Sequence, residues 1–122
     1  MMNKPGATGL TRIRHACGYS VKGLRAAFLS EAAFRQEVYA LPIVLGLAIW
    51  LANTGIEFAL LFGSFGLILV AELVNSALEA VVDRIGPEHH PLSGQAKDIG
   101  SAIVMVAMIL MAVTWVAVLV FR

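Results

Sequence analysis

Apolar and polar residues follow one another along this chain in long blocks, not in short alternations. From Ala102 to Phe121 there is no charge and a single hydroxyl, Thr114. A helix over those positions rises ~30 Å, the thickness of a bilayer's hydrocarbon core. A second block runs from Phe58 toward Val82; it is apolar as far as Ala71 and is then interrupted by Glu72, Asn75, Ser76 and Glu79. A third, Val38 to Ala52, is shorter but can begin from Phe34. Pro42 lies in its first part, where a kink is tolerated if the freed carbonyl finds a partner. The pattern predicts membrane-crossing helices over about 34–52, 58–82 and 101–121. Asn53 to Glu57 reads as a tight turn, and Gly86 to Gly94 as an irregular link whose glycines and prolines exclude regular helix.

Ahead of the first span, Leu10, Ile13, Cys17, Val21, Leu24 and Phe28 recur at helical spacing, with Arg12, His15, Tyr19 and Lys22 on the opposite face. This predicts a basic amphipathic helix over about 8–29, lying on the headgroups and not crossing them. Continuing that stripe would bring Glu31 to the apolar side, so a new helix is expected there, with Ser30 as its N-cap. The fold class is therefore all-α, a single membrane domain over 1–122 with three spans and one surface helix.

Composition agrees with this reading. Of the 122 residues 59% are hydrophobic, too many for a water-soluble body this small. A formal charge of +1 gives no electrostatic case for a nucleic-acid partner. Cys17 is alone, so no disulfide forms within the chain, and it reads as a packing residue. The first long apolar run follows a polar, basic stretch, so no cleavable leader is expected. Lys4, Arg12, Arg14, Lys22, Arg25 and Arg35 precede the first span, Arg84 and Lys97 lie in the second loop, and the Asn53–Glu57 turn has no cation. The expected topology is a cytoplasmic N-terminus and second loop, with Arg122 outside and Trp50 and Trp115 toward the outer leaflet.

A carboxylate inside a span costs ~3 kcal/mol near the bilayer centre, and such residues are functional by default. Glu72 lies ~21 Å along the helix from Phe58, near the inner headgroups. Asn75, Ser76 and Glu79 follow at i+3, i+4 and i+7 and share its face. Glu72 and Glu79 are ~10 Å apart, too far to hold one metal together but placed to divide two tasks. Glu31 is a third acid at similar depth, and Arg12, Tyr19, Arg35, Lys97 and Asp98 collect at the same level. Acids for Mg²⁺, cations for phosphates and a base reaching into lipid make an inventory for phosphoryl transfer. The P-loop, GxGxxG, HRD and DFG motifs are absent. The alternative on these residues alone is a set of polar contacts joining helices.

Three stretches together resemble the prokaryotic diacylglycerol kinase family: Glu31-Ala-Ala-Phe-Arg-Gln-Glu37, Glu72-Leu-Val-Asn-Ser-Ala-Leu-Glu-Ala-Val-Val-Asp-Arg-Ile-Gly86, and Leu92-Ser-Gly-Gln-Ala-Lys-Asp-Ile-Gly-Ser-Ala102. Gly18-Tyr-Ser-Val-Lys-Gly-Leu-Arg-Ala-Ala27 extends the likeness toward the N-terminus. The resemblance implies a homotrimer in the bacterial inner membrane, with active sites between subunits. It implies transfer of the γ-phosphoryl of MgATP to diacylglycerol. Carried over by position, Glu72 is implied as general base, with Asn75 in support, and Glu31 and Glu79 as ligands of the divalent metal on ATP. Nucleotide contacts are implied for Arg12, Tyr19, Glu31, Glu79, Gly86, Pro87, Glu88, Lys97 and Asp98. Lipid contacts are implied for Arg12, Ala16, Cys17, Gly18, Tyr19, Ser20, Val21, Arg25, Ala26, Ala27 and Phe28 of the surface helix. They continue through Ala33, Phe34, Arg35, Gln36 and Glu37 to Trp50, Leu51, Ala52 and Asn53, and to Glu72, Ser101 and Trp115. His89 and His90, adjacent in a loop without further ligands, read as solvated. The related activity on undecaprenol is the nearest alternative, and a small transporter or structural membrane subunit the one from another class.

Overall fold

In the computed structural model, which describes residues 8–122, the chain forms four helices: α1 Gly9–Ser30, α2 Ala32–Leu51, α3 Gly55–Ile85 and α4 Pro91–Phe121. Lys4, counted among the N-terminal cations, lies outside the described residues.

Each boundary has a local cause. Glu31 adopts an extended backbone (φ −115°, ψ 109°) and separates α1 from α2. Ser30 is not the N-cap of α2 as expected; it is the last residue of α1, and its hydroxyl donates to Ala26 O at 2.7 Å. The terminal carbonyls of α1 are instead met from the next helix. Arg35 Nη1 donates to Phe28 O at 2.7 Å and to Leu29 O at 3.3 Å, and Phe28 packs edge-on against Tyr39. At the other elbow Thr54 caps α3, its Oγ1 accepting from Glu57 N at 3.1 Å while Glu57 Oε1 accepts from Asn53 N at 3.3 Å. Arg122 joins this turn through Leu51 O and an ion pair with Glu57 at 3.6 Å.

The second loop is shorter than the sequence suggested. α4 starts at Pro91 and takes in Leu92, Ser93 and Gly94. Proline at the first helical position removes an N–H that would have no partner in the helix. His90 supplies the cap, with Nδ1 accepting from Leu92 N at 3.0 Å.

α3 and α4 make the most extensive contact, α2 packs on α3, and α1 meets chiefly α2. The core is narrow: Phe65, Ile68 and Ala71 of α3 against Ala107 of α4, flanked by Leu41 and Val44 of α2. Trp115 Nε1 donates to Leu61 O at 3.0 Å. The indole therefore locks α4 to α3, where the sequence suggested an anchor in the headgroups. Side chains such as Ile43, Ile49, Val70, Met105, Ile109 and Val113 are exposed on all three long helices. Three helices are long and apolar enough to cross a membrane, which gives those side chains an apolar surrounding. At 31 residues each, α3 and α4 rise ~46 Å and exceed a ~30 Å hydrocarbon core. Their charged ends extend past it.

Gly100 of α4 faces the Asn75 side chain of α3. A methyl group there would fall inside the Asn75 amide, whose Oδ1 is already buried without a hydrogen-bond partner among the described residues. Gly100→Ala is expected to destabilise the protein by about 1–3 kcal/mol, the range of core overpacking. Thermal unfolding in detergent measures this, and an unchanged midpoint would show that Asn75 is free to yield.

Candidate active site

Glu72 is the one buried charged residue among those described, 6% exposed on the middle of α3. A carboxyl group in that position needs a partner or a task. Its neighbour is Glu37 of α2, close enough across the α2–α3 contact for the two carboxyl groups to act on one another. Glu37 Oε1 is buried with no hydrogen-bond partner among the described residues. Glu31 and Glu79 lie close enough to act on the charge of Glu72. Four acids from the start of α2 and the charged half of α3 thus form one stripe in which each is felt at Glu72. The sequence marked three of them as a set. The resemblance implies only a lipid contact for Glu37, although an acid inside the apolar stretch that begins at Phe34 is the signal in the sequence.

Two clefts of different character flank this stripe along α3. One, of ≈ 500 Å³, lies where α1, α2 and α3 meet, and its walls include Val21, Leu24, Phe28, Phe34, Val38, Leu69 and Leu73. Val21, Arg25, Phe28 and Phe34, all positions where the resemblance implies lipid contacts, line it. Val38 and Leu73 are the chain neighbours of Glu37 and Glu72, so the acid pair and the apolar cleft lie at the same level of α2 and α3. The other cleft, of ≈ 300 Å³, lies between the end of α3 and the start of α4 and is lined by Asp83, Gly86, Pro87, Glu88, His89, Ser93 and Lys97. Gly86, Pro87, Glu88 and Lys97 are positions where the resemblance implies nucleotide contacts.

Lys97 Nζ forms an ion pair with Asp83 Oδ1 at 2.9 Å. The hydrogen bond and then the charge of Asp83 hold the Lys97 ammonium above the ordinary lysine range, with Glu79 adding to the effect. Glu79 therefore links the acid stripe to the polar cleft. The sequence marks Lys97 but not Asp83, because no helical spacing connects α3 to α4.

The remaining positions are more dispersed. Tyr19 is half-buried on α1, whereas Arg12, Ala16, Cys17, Gly18, Ser20 and Ala26 are exposed and Ala27 is buried. Ala33 and Gln36 are exposed beside buried Phe34, and Asp98 and Ser101 are exposed on α4. Arg35 spends one nitrogen on α1 carbonyls. Trp50, 79% exposed, stands with Leu51, Ala52 and Asn53 at the opposite end of the bundle, ~20 Å from Glu37 by helical rise. That distance is comparable to an acyl chain laid along α2. Asn75, half-buried one turn from Glu72, is held against Gly100.

The profile of the family described as prokaryotic diacylglycerol kinase matches residues 18–119. A diacylglycerol kinase of Escherichia coli strain K12 is 55% identical over 108 residues, 88% of each chain. One from Pseudomonas aeruginosa is 48% identical over 114 residues, 93% of each chain. One from Haemophilus influenzae is 46% identical over 114 residues, 93% of this chain and 97% of its own.

Proposed function

Because the chain belongs to the prokaryotic diacylglycerol kinase family, we propose that it transfers the γ-phosphoryl group of ATP to the free hydroxyl of diacylglycerol, giving phosphatidic acid. The observation that carries this reading is the acid stripe from the buried Glu72 to Glu79, which runs along α3 from the level of an apolar cleft that reaches Leu73 toward a polar cleft that begins at Val82. A lipid hydroxyl cannot travel far into water, and a triphosphate cannot enter hydrocarbon. An acid stripe along α3 between the two clefts lets both substrates approach one base.

In the proposed mechanism the acyl chains lie in the α1–α2–α3 cleft and bring the hydroxyl to Glu72. The Glu72 carboxylate accepts the hydroxyl proton as the oxygen forms its bond to the γ-phosphorus and the bond to the β-phosphate oxygen breaks, releasing ADP. Lys97 and the Gly86–Glu88 loop hold the nucleotide, with Arg12, Tyr19 and Asp98 as further contacts. Among the described residues no three His, Cys, Asp or Glu side chains form a metal cage. Mg²⁺ needs none when phosphate oxygens and water complete its octahedron around one or two carboxylates. Glu31 and Glu79 suit that role, and Mg²⁺ held there would neutralise phosphate charge. Positioning and charge neutralisation then supply most of the rate.

The same proposal covers the assembly. The α1 stripe of Leu10, Ile13, Val21 and Leu24 is exposed in the single chain, which suits a helix lying on the membrane surface. A homotrimer would cover part of the apolar surface of the long helices and bring a second chain to the acid stripe. Lys and Arg crowd the end that bears α1 and the α3–α4 loop, so that end is assigned to the cytoplasm of a bacterial inner membrane. Reporter fusions at Arg122 are expected to report the external side, and a cytoplasmic signal there would overturn the orientation.

Purified protein in mixed micelles, given MgATP and either diacylglycerol or undecaprenol, tests the activity. Phosphatidic acid is the expected product. Exclusive phosphorylation of undecaprenol would transfer the reading to the polyprenol, and phosphorylation of neither would remove it.

A further inference from the structure

Asp83 has no part in the reaction described above, yet it is the residue that holds Lys97. The pair closes the charged end of the α3–α4 hairpin, with Nζ and Oδ1 2.9 Å apart and side chains 46% and 68% exposed. Both residues also line the polar cleft together with Gly86, Pro87, Glu88 and Ser93. Lysine carries a compact charge on a flexible four-carbon stem, and an unheld ammonium loses rotamer freedom whenever it is fixed on a ligand. An ammonium has three N–H donors, and Asp83 occupies one of them. The other two remain for an anion in the cleft.

We propose that Asp83 is a positioning residue, holding the Lys97 ammonium at the wall of the α3–α4 cleft so that its free N–H donors meet the phosphates of the nucleotide. This rests on the reading of Lys97 as a nucleotide contact. The opposite possibility is that Asp83 competes with phosphate for Lys97. Geometry decides between them: Lys97 already lines the cleft while bonded to Asp83, so it need not leave its partner to face a ligand. The residual cost is the negative charge of Asp83, which its contact with the ammonium offsets.

The test is a cycle of Asp83→Asn, Lys97→Met and the double variant in the full-length protein, assayed in mixed micelles with MgATP and diacylglycerol. Asp83→Asn is expected to raise KM for MgATP about two- to fivefold, the reach of an exposed ion pair, with a smaller change in kcat and none in KM for lipid. Asp83→Glu restores KM toward the parent value. In the Lys97→Met background, Asp83→Asn adds nothing. A raised KM in Lys97→Met with an unchanged or lowered KM in Asp83→Asn overturns the role of Asp83 alone. An unchanged KM in Lys97→Met overturns the nucleotide reading of Lys97 and the proposal with it. Thermal unfolding separates these effects from loss of fold, and Asp83→Ser serves if the Asn variant is unstable.

Discussion

Glu72→Gln is expected to lower turnover by at least the ~10²–10⁴-fold that positioned acid–base catalysis supplies. The substitution keeps the size and polarity of a side chain that is 6% exposed and removes only the oxygen able to take a proton. Its amide can still donate to Glu37, so the α2–α3 contact survives and the fold is retained. The polar cleft and Lys97 are untouched, so KM for MgATP is expected to stay near the parent value. Steady-state kinetics on protein with an unchanged unfolding midpoint gives both quantities. A folded Glu72→Gln protein turning over diacylglycerol at a near-normal rate would sink the mechanism, whereas a raised KM with unchanged kcat would move Glu72 to the nucleotide site.

Glu31→Gln and Glu79→Gln are each expected to act on the other half of the reaction. If these two carboxylates hold the metal on ATP, removing either leaves one charged ligand against a doubly charged ion. The dependence on Mg²⁺ is then expected to shift upward by at least the ~10–100-fold that loss of even a supporting group around a metal costs. Activity measured against free Mg²⁺ at fixed ATP tests this. Apparent affinity for lipid is expected to change little, because neither acid lines the apolar cleft. Both variants retaining the parent Mg²⁺ curve would show that the acids near Glu72 act only on its charge. The two experiments together separate a base from a metal ligand, roles that the four neighbouring carboxylates otherwise make hard to distinguish.

Much of the fold could be read from the sequence because bilayer solvation acts on each helix almost independently. A run without charges, such as Ala102 to Phe121, has few alternatives in a chain this apolar, and Asn53 to Glu57 carries its own capping chemistry. The stripe of Glu72, Asn75 and Glu79 was legible for a similar reason. Residues at i, i+3 and i+7 share a face in any helix, whatever packs against it. The start of α4 and the cap of α2 differ from what the sequence predicts because both depend on local exchanges of partner. His90 caps a helix that Pro91 is able to begin, and the Ser30 hydroxyl turns back to Ala26 O instead of capping α2.

The sequence by itself determined which segments are helical and apolar, where acids interrupt them and which end of the bundle is basic. Those properties follow from composition and period within single segments. Only the tertiary structure decided that Glu37 stands beside Glu72, that Asp83 holds Lys97, that Trp115 bonds to Leu61 and that Gly100 admits Asn75. Each of these joins two helices, so it depends on how one is rotated and shifted against the other. In a membrane protein the faces toward lipid and toward neighbouring helices are both apolar, and hydrophobic pattern does not encode that rotation. It is set by close packing and by the few polar groups that must find partners across the helix contacts.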